Sequence, residues 1–210
     1  MKMSTTITPL FSSPLYHTNI KAELNVQEVD AVFNNVNLDK RELMIENIGN
    51  KFTSDQNILN TNSSTTIHKA IKKHVDIYFY ELLRAEKDIE IYITQSWINK
   101  SAPGDYHQVH THPNSFLSGT FYYKTDMNAG HLTFADPKYT PLEYRKQEYT
   151  AFNSNLWKVI PNEYDLVLFP SYLLHGVGIN TSSSTRISLA FNTYLKGIIN
   201  NKPTTALSLN

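Results

Sequence analysis

Three histidines, His110, His112 and His175, are the residues whose types and spacing best suit chemistry. The stretch Gly104 to His112 reads as a loop feeding a strand. Side chains on a strand alternate between faces, so His110 and His112 share one face. His107 takes the opposite parity if the strand is regular that far. His175 follows the apolar run Asp165-Leu166-Val167-Leu168-Phe169-Pro170 and a proline turn, at the opening of another strand. Two imidazoles on one face plus a third from a distant strand is a ligand set for a divalent transition metal. The chain has no cysteine, which excludes disulfides, thiolate ligands and a cysteine nucleophile. The bland reading, a surface or satisfied core histidine, is the one assigned to His17, His68 and His131.

A charged residue adds a second constraint. The segment Arg186-Ile187-Ser188-Leu189-Ala190-Phe191-Asn192 alternates polar and apolar. Arg186, Ser188, Ala190 and Asn192 therefore lie on one face, and Ile187, Leu189 and Phe191 on the other. An arginine inside a covered strand needs an anionic partner, because an unpaired buried charge is costly. Either an Asp or Glu side chain or a bound dicarboxylate meets that need, the latter through bidentate hydrogen bonds.

The elements that must position these groups follow from patterning. Asn25-Val26-Gln27-Glu28 resembles a capping box, and Val26, Val29, Val32, Phe33 and Val36 then keep helical spacing. Ile67, Ala70, Ile71, His74, Val75, Tyr78, Leu82 and Leu83 repeat at i, i+3, i+4 and i+7, the strongest helix signal in the chain. His74 falls on its apolar side and is assigned to packing. Residues 45–64 read as loop. From residue 89 the pattern becomes short strands: 89–99, 106–112, 117–124, 131–135, 147–152, 156–160, 165–169, 173–179 and 185–195. Helices followed by many strands predict an α+β, mainly β chain built on a sandwich or small barrel.

Length and composition agree with this organisation. The chain has 210 residues, within the range of one all-β domain. Residues 1–88 would be an extended segment and supporting helices, 89–196 the barrel core and 197–210 a loosely ordered tail. Lys plus Arg and Asp plus Glu number 19 each, so no charge excess suggests a nucleic-acid or membrane surface. The first residues lack an apolar core, which predicts a cytoplasmic location. Oligomeric state leaves no mark in the sequence.

At these same residues the chain resembles the 2-oxoglutarate- and Fe(II)-dependent oxygenases, in particular the prolyl-4-hydroxylase-like branch found in bacteria and phages. The matching pieces are Thr8-Pro9-Leu10-Phe11, Ser96-Trp97-Ile98-Asn99, His110-Thr111-His112-Pro113-Asn114-Ser115 and Leu117 to Tyr123. Phe134-Ala135-Asp136-Pro137, Phe169-Pro170-Ser171 through His175, and Arg186-Ile187-Ser188 through Asn192 complete an ordered set over residues 90–195. The resemblance implies a double-stranded β-helix, a jelly-roll barrel with N-terminal helices packed on one sheet. It implies Fe(II), 2-oxoglutarate and O2, with decarboxylation of 2-oxoglutarate to succinate coupled to oxidation, usually hydroxylation, of a second substrate. That substrate is a peptidyl residue, prolyl included, or a small molecule, and the setting is the cytoplasm of a bacterium or a phage-infected host cell.

Roles carry over residue by residue. His110 and His175 match the two histidine ligands of iron. Arg186 and Ser188 match the pair that holds the distal carboxylate of 2-oxoglutarate, and Tyr123 falls where related enzymes place a tyrosine against it. Asn99, on the strand before the metal motif, is assigned to the cosubstrate's other end. His112 is the departure: the family pattern is His-x-Asp or His-x-Glu, and a histidine stands where the carboxylate belongs. His112 is then a third ligand, or turns away and leaves water at that position, or marks a weakened or lost activity; its shared parity with His110 favours the three-histidine site. Residues 138–158, with Tyr139, Tyr144, Tyr149, Phe152 and Trp157, are either a substrate-facing lid or an aromatic hairpin packed on the barrel.

Two other readings remain. A cupin-type metalloprotein matches Gly104-x5-His110-x-His112, but Phe116 and Leu117 stand where that motif wants a glutamate. A non-catalytic jelly-roll module would carry incidental histidines or a structural zinc.

Overall fold

A computed structural model describes residues 6–36, 44–47, 49–136, 142, 144–200 and 204–209. Two antiparallel sheets face each other. Eight strands in chain order form the barrel: β4 (Glu90–Ser101), β5 (His107–His110), β6 (Leu117–Lys124), β7 (Leu132–Ala135), β8 (Leu156–Val159), β9 (Asp165–Pro170), β10 (Leu174–Val177) and β11 (Arg186–Ile199). The larger sheet takes β9, β6, β11 and β4 in that order. β1 (Tyr16–Asn19) extends it at one edge, and β3 (Asn50–Thr53) followed by β2 (Met44–Asn47) at the other. A last strand, β12 (Leu207–Leu209), pairs with the end of β11. The smaller sheet runs β5-β10-β7-β8. This is a double-stranded β-helix, an α+β and mainly β fold.

Both faces of the larger sheet are covered, which explains why its strands read as nearly continuous apolar runs. Its outer face carries Ile93, Ile98, Phe121, Leu166, Leu168, Leu189 and Phe191. These join one core with Val29, Val32 and Phe33 of α1 (Val26–Asn35), Leu59 of α2 (Ile58–Thr61) and Ile67, Ile71 and Val75 of α3 (Thr66–Asp76). The backbone N–H of Leu59 donates to the buried Ser96 Oγ at 2.8 Å, so α2 is fixed to β4 by a hydrogen bond as well as by packing. His74, on α3, bonds the Tyr16 hydroxyl through Nδ1 at 2.7 Å and Glu23 through Nε2 at 2.9 Å. It ties the N-terminal strand to the helix. No described helix is long and apolar enough to cross a membrane.

The inner face is smaller and of mixed character. Tyr122, Val167 and Phe169 from the larger sheet meet Leu132, Phe134 and Val159 from the smaller one. Cross-strand register sets the rest: Arg186 pairs with Ser101, Ser188 with Asn99, Ala190 with Trp97 and Asn192 with Gln95. Partners directly opposite project to the same side of a sheet. These four rungs alternate with the outward pairs Leu189–Ile98 and Phe191–Ser96, so they form a polar strip on the barrel interior.

Several expected elements change. Residues 45–64 hold β2, β3 and α2 rather than loop alone. Their Asn, Ser and Thr content suggested loop, yet Ile58 and Leu59 are buried and β3 pairs in the sheet. Residues 147–152 are not a strand. There Asn153 Oδ1 accepts the Thr150 N–H, and Thr150 Oγ1 the Phe152 N–H; such local bonds compete with a ladder. The tail is not all loose, since β12 pairs with β11. At the first helix Asn25 does cap Gln27 and Glu28, but the Glu28 carboxylate accepts from the Thr66 N–H at 2.9 Å. It caps α3 instead of closing a box on its own helix.

Packing between sheet and helices is tightest at Gly119 on β6. A Cβ there would stand 2.2 Å from Phe191 Cζ and 2.7 Å from Leu168 Cδ2. Overfilling a packed core costs about 1–3 kcal/mol. Gly119→Ala is therefore expected to lower the unfolding free energy by that amount, read as a lower urea midpoint at unchanged m-value, and an unchanged midpoint would show the outer core to be looser than described.

Candidate metal centre

β5 and β10 are neighbours in the smaller sheet, and His110 sits directly opposite His175. β5 ends at His110, so His112 lies past the strand. Its backbone N–H is held by the Ser171 carbonyl at 3.1 Å, which returns its ring to the other two. The ligand-capable nitrogens of His110, His112 and His175 all lie within 4.8 Å of one another. The structure thus brings together all three residues singled out from spacing, although strand alternation does not account for His112.

Tautomers follow from the partners. His110 Nδ1 is 2.7 Å from the Gln108 carbonyl oxygen, and His175 Nδ1 is 2.8 Å from that of Leu173. A carbonyl oxygen only accepts, so each Nδ1 carries the hydrogen and each Nε2 presents a bare lone pair. Backbone acceptors of this kind orient metal-binding imidazoles. His112 Nε2 lies 3.2 Å from His175 Nε2. Two nitrogens bound cis to one metal at about 2.1 Å each would lie about 3 Å apart, so the pair already has the separation a shared ion requires. The donor set fits a borderline divalent metal such as iron.

The walls are aromatic. His175 packs edge-on against Phe169 at 4.6 Å between centroids, and the Trp97 ring lies 5.9 Å from that of His112. Burial pushes His175 down to about 3 and His112 down to about 4, with the neighbouring His110 adding to both and the Leu173 carbonyl opposing the shift at His175. Both rings are neutral at pH 7, the form a metal needs.

His107 does not take the opposite face. The register between β5 and β10 shifts, with His175 opposite His110 but Val177 opposite His107. Two steps on β10 thus span three on β5, which is a bulge. His107 is turned onto the side of His110 and stacks on its ring at 4.4 Å. Burial first, then the charges of His110, Arg186 and His112, lower it to about 4.

Arg186 begins β11 and is 3% exposed. Its Nη1 donates to the Ala129 carbonyl at 3.3 Å and its Nη2 to Ser101 Oγ at 3.1 Å, while Nε has no partner. Among the described residues no carboxylate pairs with it. Of the two partners the sequence left open, the side-chain carboxylate is absent from the described residues. Ser188 and Asn99 are buried beside it on adjoining rungs.

Tyr123 is a correction. Its hydroxyl donates to Asp30 Oδ1 at 2.7 Å and its ring stacks on Phe33 at 4.1 Å, beneath α1. It faces away from the barrel interior. Tyr122, fully buried and paired with Ser188, is the tyrosine on the inner face. Burial raises it to about 12, against the lowering effect of Arg186. Both faces of β6 are buried, so parity alone could not choose between the two tyrosines.

Beside His112 opens a cavity of 590 Å³, walled by Ser12, Pro14, Leu83, Phe116, Pro170 and Tyr172 among others, with no acidic side chain, Lys or Arg in its lining. Of the 138–158 insertion, Trp157 lies on β8, which pairs with β7 as a hairpin of the smaller sheet, while Tyr144, Tyr149, Phe152 and the Trp157 ring are exposed. Tyr139 lies outside the described residues.

Residues 95–192 match the family model described as "Putative 2OG-Fe(II) oxygenase". No curated protein matches in sequence. Among solved structures, a Pseudomonas putida prolyl-4-hydroxylase is 13% identical with a TM-score of 0.53, covering 87% of this chain and 94% of its own. HygX from Streptomyces hygroscopicus, solved with nickel, 2-oxoglutarate and hygromycin B, is 11% identical with a TM-score of 0.55, the coverage being 86% and 82%. SnoN, an α-ketoglutarate-dependent epimerase of nogalamycin biosynthesis, is 12% identical with a TM-score of 0.60, covering 91% and 84%. The matched segment spans β4 to β11 and includes the three histidines and Arg186. That segment is similar to the 2-oxoglutarate- and Fe(II)-dependent oxygenases, and the solved structures share the fold of the chain.

Depressed histidines make stability depend on pH in a definite direction. Unfolded histidine titrates near pH 6.5, whereas folded His175 does so near 3 and His112 near 4. Below pH 6.5 the unfolded chain binds more protons, so stability falls with falling pH. For His175 alone the slope is at most about 1.4 kcal/mol per pH unit. The metal-free protein should melt lower at pH 5 than at pH 7.5, with a shallower slope in His175→Phe. Equal melting temperatures at both values would contradict the burial of neutral imidazoles.

Proposed function

We propose that this protein is an Fe(II)- and 2-oxoglutarate-dependent dioxygenase, with His110, His112 and His175 as metal ligands. The observation that carries the reading is Arg186: a buried guanidinium, with an unbonded Nε and no carboxylate partner among the described residues, inside the same barrel as three converging imidazoles. A dicarboxylate that reaches both groups satisfies the charge that the protein leaves open. Neighbours of the same fold solved with iron or nickel and α-ketoglutarate support the choice.

Each residue has a part. His110 and His175 offer Nε2 lone pairs fixed by their Nδ1–H bonds to Gln108 and Leu173. His112 as the third ligand must move its Nε2 hydrogen, which in the metal-free site points at His175, to Nδ1 or to solvent. Arg186 and Ser188 hold the cosubstrate's distal carboxylate, with Tyr122 in place of Tyr123. Asn99 is on the same inner face, next to Ser188, which fits a role at the distal rather than the metal-proximal end. Phe169, Phe134 and Trp97 keep water from the metal. Bound iron and O2 would supply the redox chemistry, coupling decarboxylation of 2-oxoglutarate to succinate and CO2 with oxidation of a second substrate.

That oxidation we take to be a hydroxylation. The 590 Å³ cavity beside His112 has the size of a small-ligand or side-chain site and no charged walls, His112 being neutral at pH 7. It suits an uncharged group, such as a prolyl or other neutral peptidyl side chain.

Two variants test the reading. Under anaerobic conditions with Mn(II), Arg186→Met should weaken 2-oxoglutarate binding by about a hundredfold, the scale of a lost charged hydrogen-bond pair, with Mn(II) affinity kept. Wild-type affinity in that variant would remove the cosubstrate assignment. His112→Ala should lose metal affinity as His110→Ala does; full retention by His112→Ala alone would leave a two-histidine centre.

A further inference from the structure

The barrel interior holds a second orphaned polar group besides Arg186. Asn50, on β3, is 3% exposed, and its Oδ1 has no hydrogen-bond partner. Its Nδ2 is 3.2 Å from Asn99 Oδ1. β3 is not one of the eight barrel strands, and it lies outside the segment matched by the family model.

Register places Asn50 on the same rung as the arginine, with Ser101 between them. Phe52 pairs with Asn99 and Lys51 with Lys100, so the antiparallel ladder carries Asn50 to the level of Ser101. Asn99 and Ser101 pair in turn with Ser188 and Arg186 across β11. Asn50 has the parity of Phe52 and so shares the inner face with Asn99 and Ser101. Three adjacent strands therefore set Asn50, Asn99, Ser101, Ser188 and Arg186 side by side, all buried, with two unsatisfied atoms among them.

We propose that Asn50 is a further recognition residue for the distal carboxylate of the cosubstrate, acting with Arg186. The inference rests on the dioxygenase reading above. A carboxylate only accepts, so Asn50 must present its amide hydrogens. The oxygen and nitrogen of an amide are assigned from the hydrogen-bond network. Turning the amides of Asn50 and Asn99 together by half a turn keeps their mutual bond with donor and acceptor exchanged. It also sets the Asn50 NH2 where its orphaned oxygen now lies. An acceptor-only anion then satisfies both open groups at once, the Asn50 amide and the Arg186 guanidinium. A strand outside the barrel thereby selects for a keto acid with two carboxylates over one with a single carboxylate.

The test compares two keto acids on the Mn(II)-loaded full chain without oxygen. 2-Oxopentanoate has the carbon chain of 2-oxoglutarate with a methyl in place of the distal carboxylate. Asn50→Asp and Asn50→Leu should weaken 2-oxoglutarate binding about tenfold to a hundredfold, the range of one hydrogen bond to a charged group. Their affinities for 2-oxopentanoate and Mn(II) should match wild type. Wild-type affinity for 2-oxoglutarate, or an equal loss for both keto acids, overturns the assignment. A wild-type protein that binds no 2-oxoglutarate removes the dioxygenase reading itself, which Arg186→Met reports separately. Should neither variant fold, the side-chain amide NMR signal of Asn50 in the Zn(II)-loaded wild type decides. It should move with 2-oxoglutarate and stay with 2-oxopentanoate, and a signal unmoved by both overturns the proposal.

Discussion

Arg186 lies under the barrel wall, held by one carbonyl and one hydroxyl, with its positive charge unanswered by any described carboxylate. Much of the interior follows from that placement. A fixed cation out of water is costly, and cost of this kind persists in a fold only where something offsets it. The neighbouring residues offer dipoles rather than charge: Ser101, Asn99, Ser188 and Tyr122. They make the strip hospitable to an anion without neutralising the guanidinium beforehand. Opposite, three imidazoles bring ring nitrogens and no negative charge. Arginine and a divalent metal would together attract a dianion from both of its ends.

The histidine at position 112 sharpens this electrostatic design. The family pattern has a carboxylate there, which would lower the charge of the metal centre by one. With histidine there, a bound ion would keep its full charge and would pull harder on an anionic cosubstrate. The ring is not an accidental neighbour, for its separation from His175 is already that of two cis ligands. The backbone bond from His112 N–H to Ser171 supplies the geometry that the end of β5 would otherwise lose. The site is therefore assembled from a strand pair and one loop, each stabilised by main-chain bonds.

Spacing and residue type made the centre legible in the sequence to a considerable degree. His110 and His175 stood out because ring nitrogens on two strands need only correct pairing to converge. The alternation of Arg186 to Asn192 correctly divided that strand into an inner polar and an outer apolar face. Alternation failed where regularity did: the bulge in β5 turned His107 inward, and no local residue pattern marks a bulge without glycine. It also failed at Tyr122 and Tyr123, where both faces of β6 are buried and apolarity carries no direction. Asn50 was lost in a polar stretch that read as loop, because β3 is a short strand that draws its pairing from β4, over forty residues away. Thr150 and Asn153 undid the expected strand over 147–152 by bonding locally, a competition that aromatic content concealed.

The imidazoles and Arg186 would act together in one binding event. Fe(II) chelated by a 2-keto acid acquires a visible charge-transfer absorption that neither component has alone. Anaerobic titration of the Fe(II)-loaded protein with 2-oxoglutarate should produce that band, saturating at one equivalent. It should be absent from His110→Ala and displaced to much higher ligand concentration in Arg186→Met. Binding of iron and of 2-oxoglutarate with no band at any ratio would contradict it, since the two would then occupy separate places.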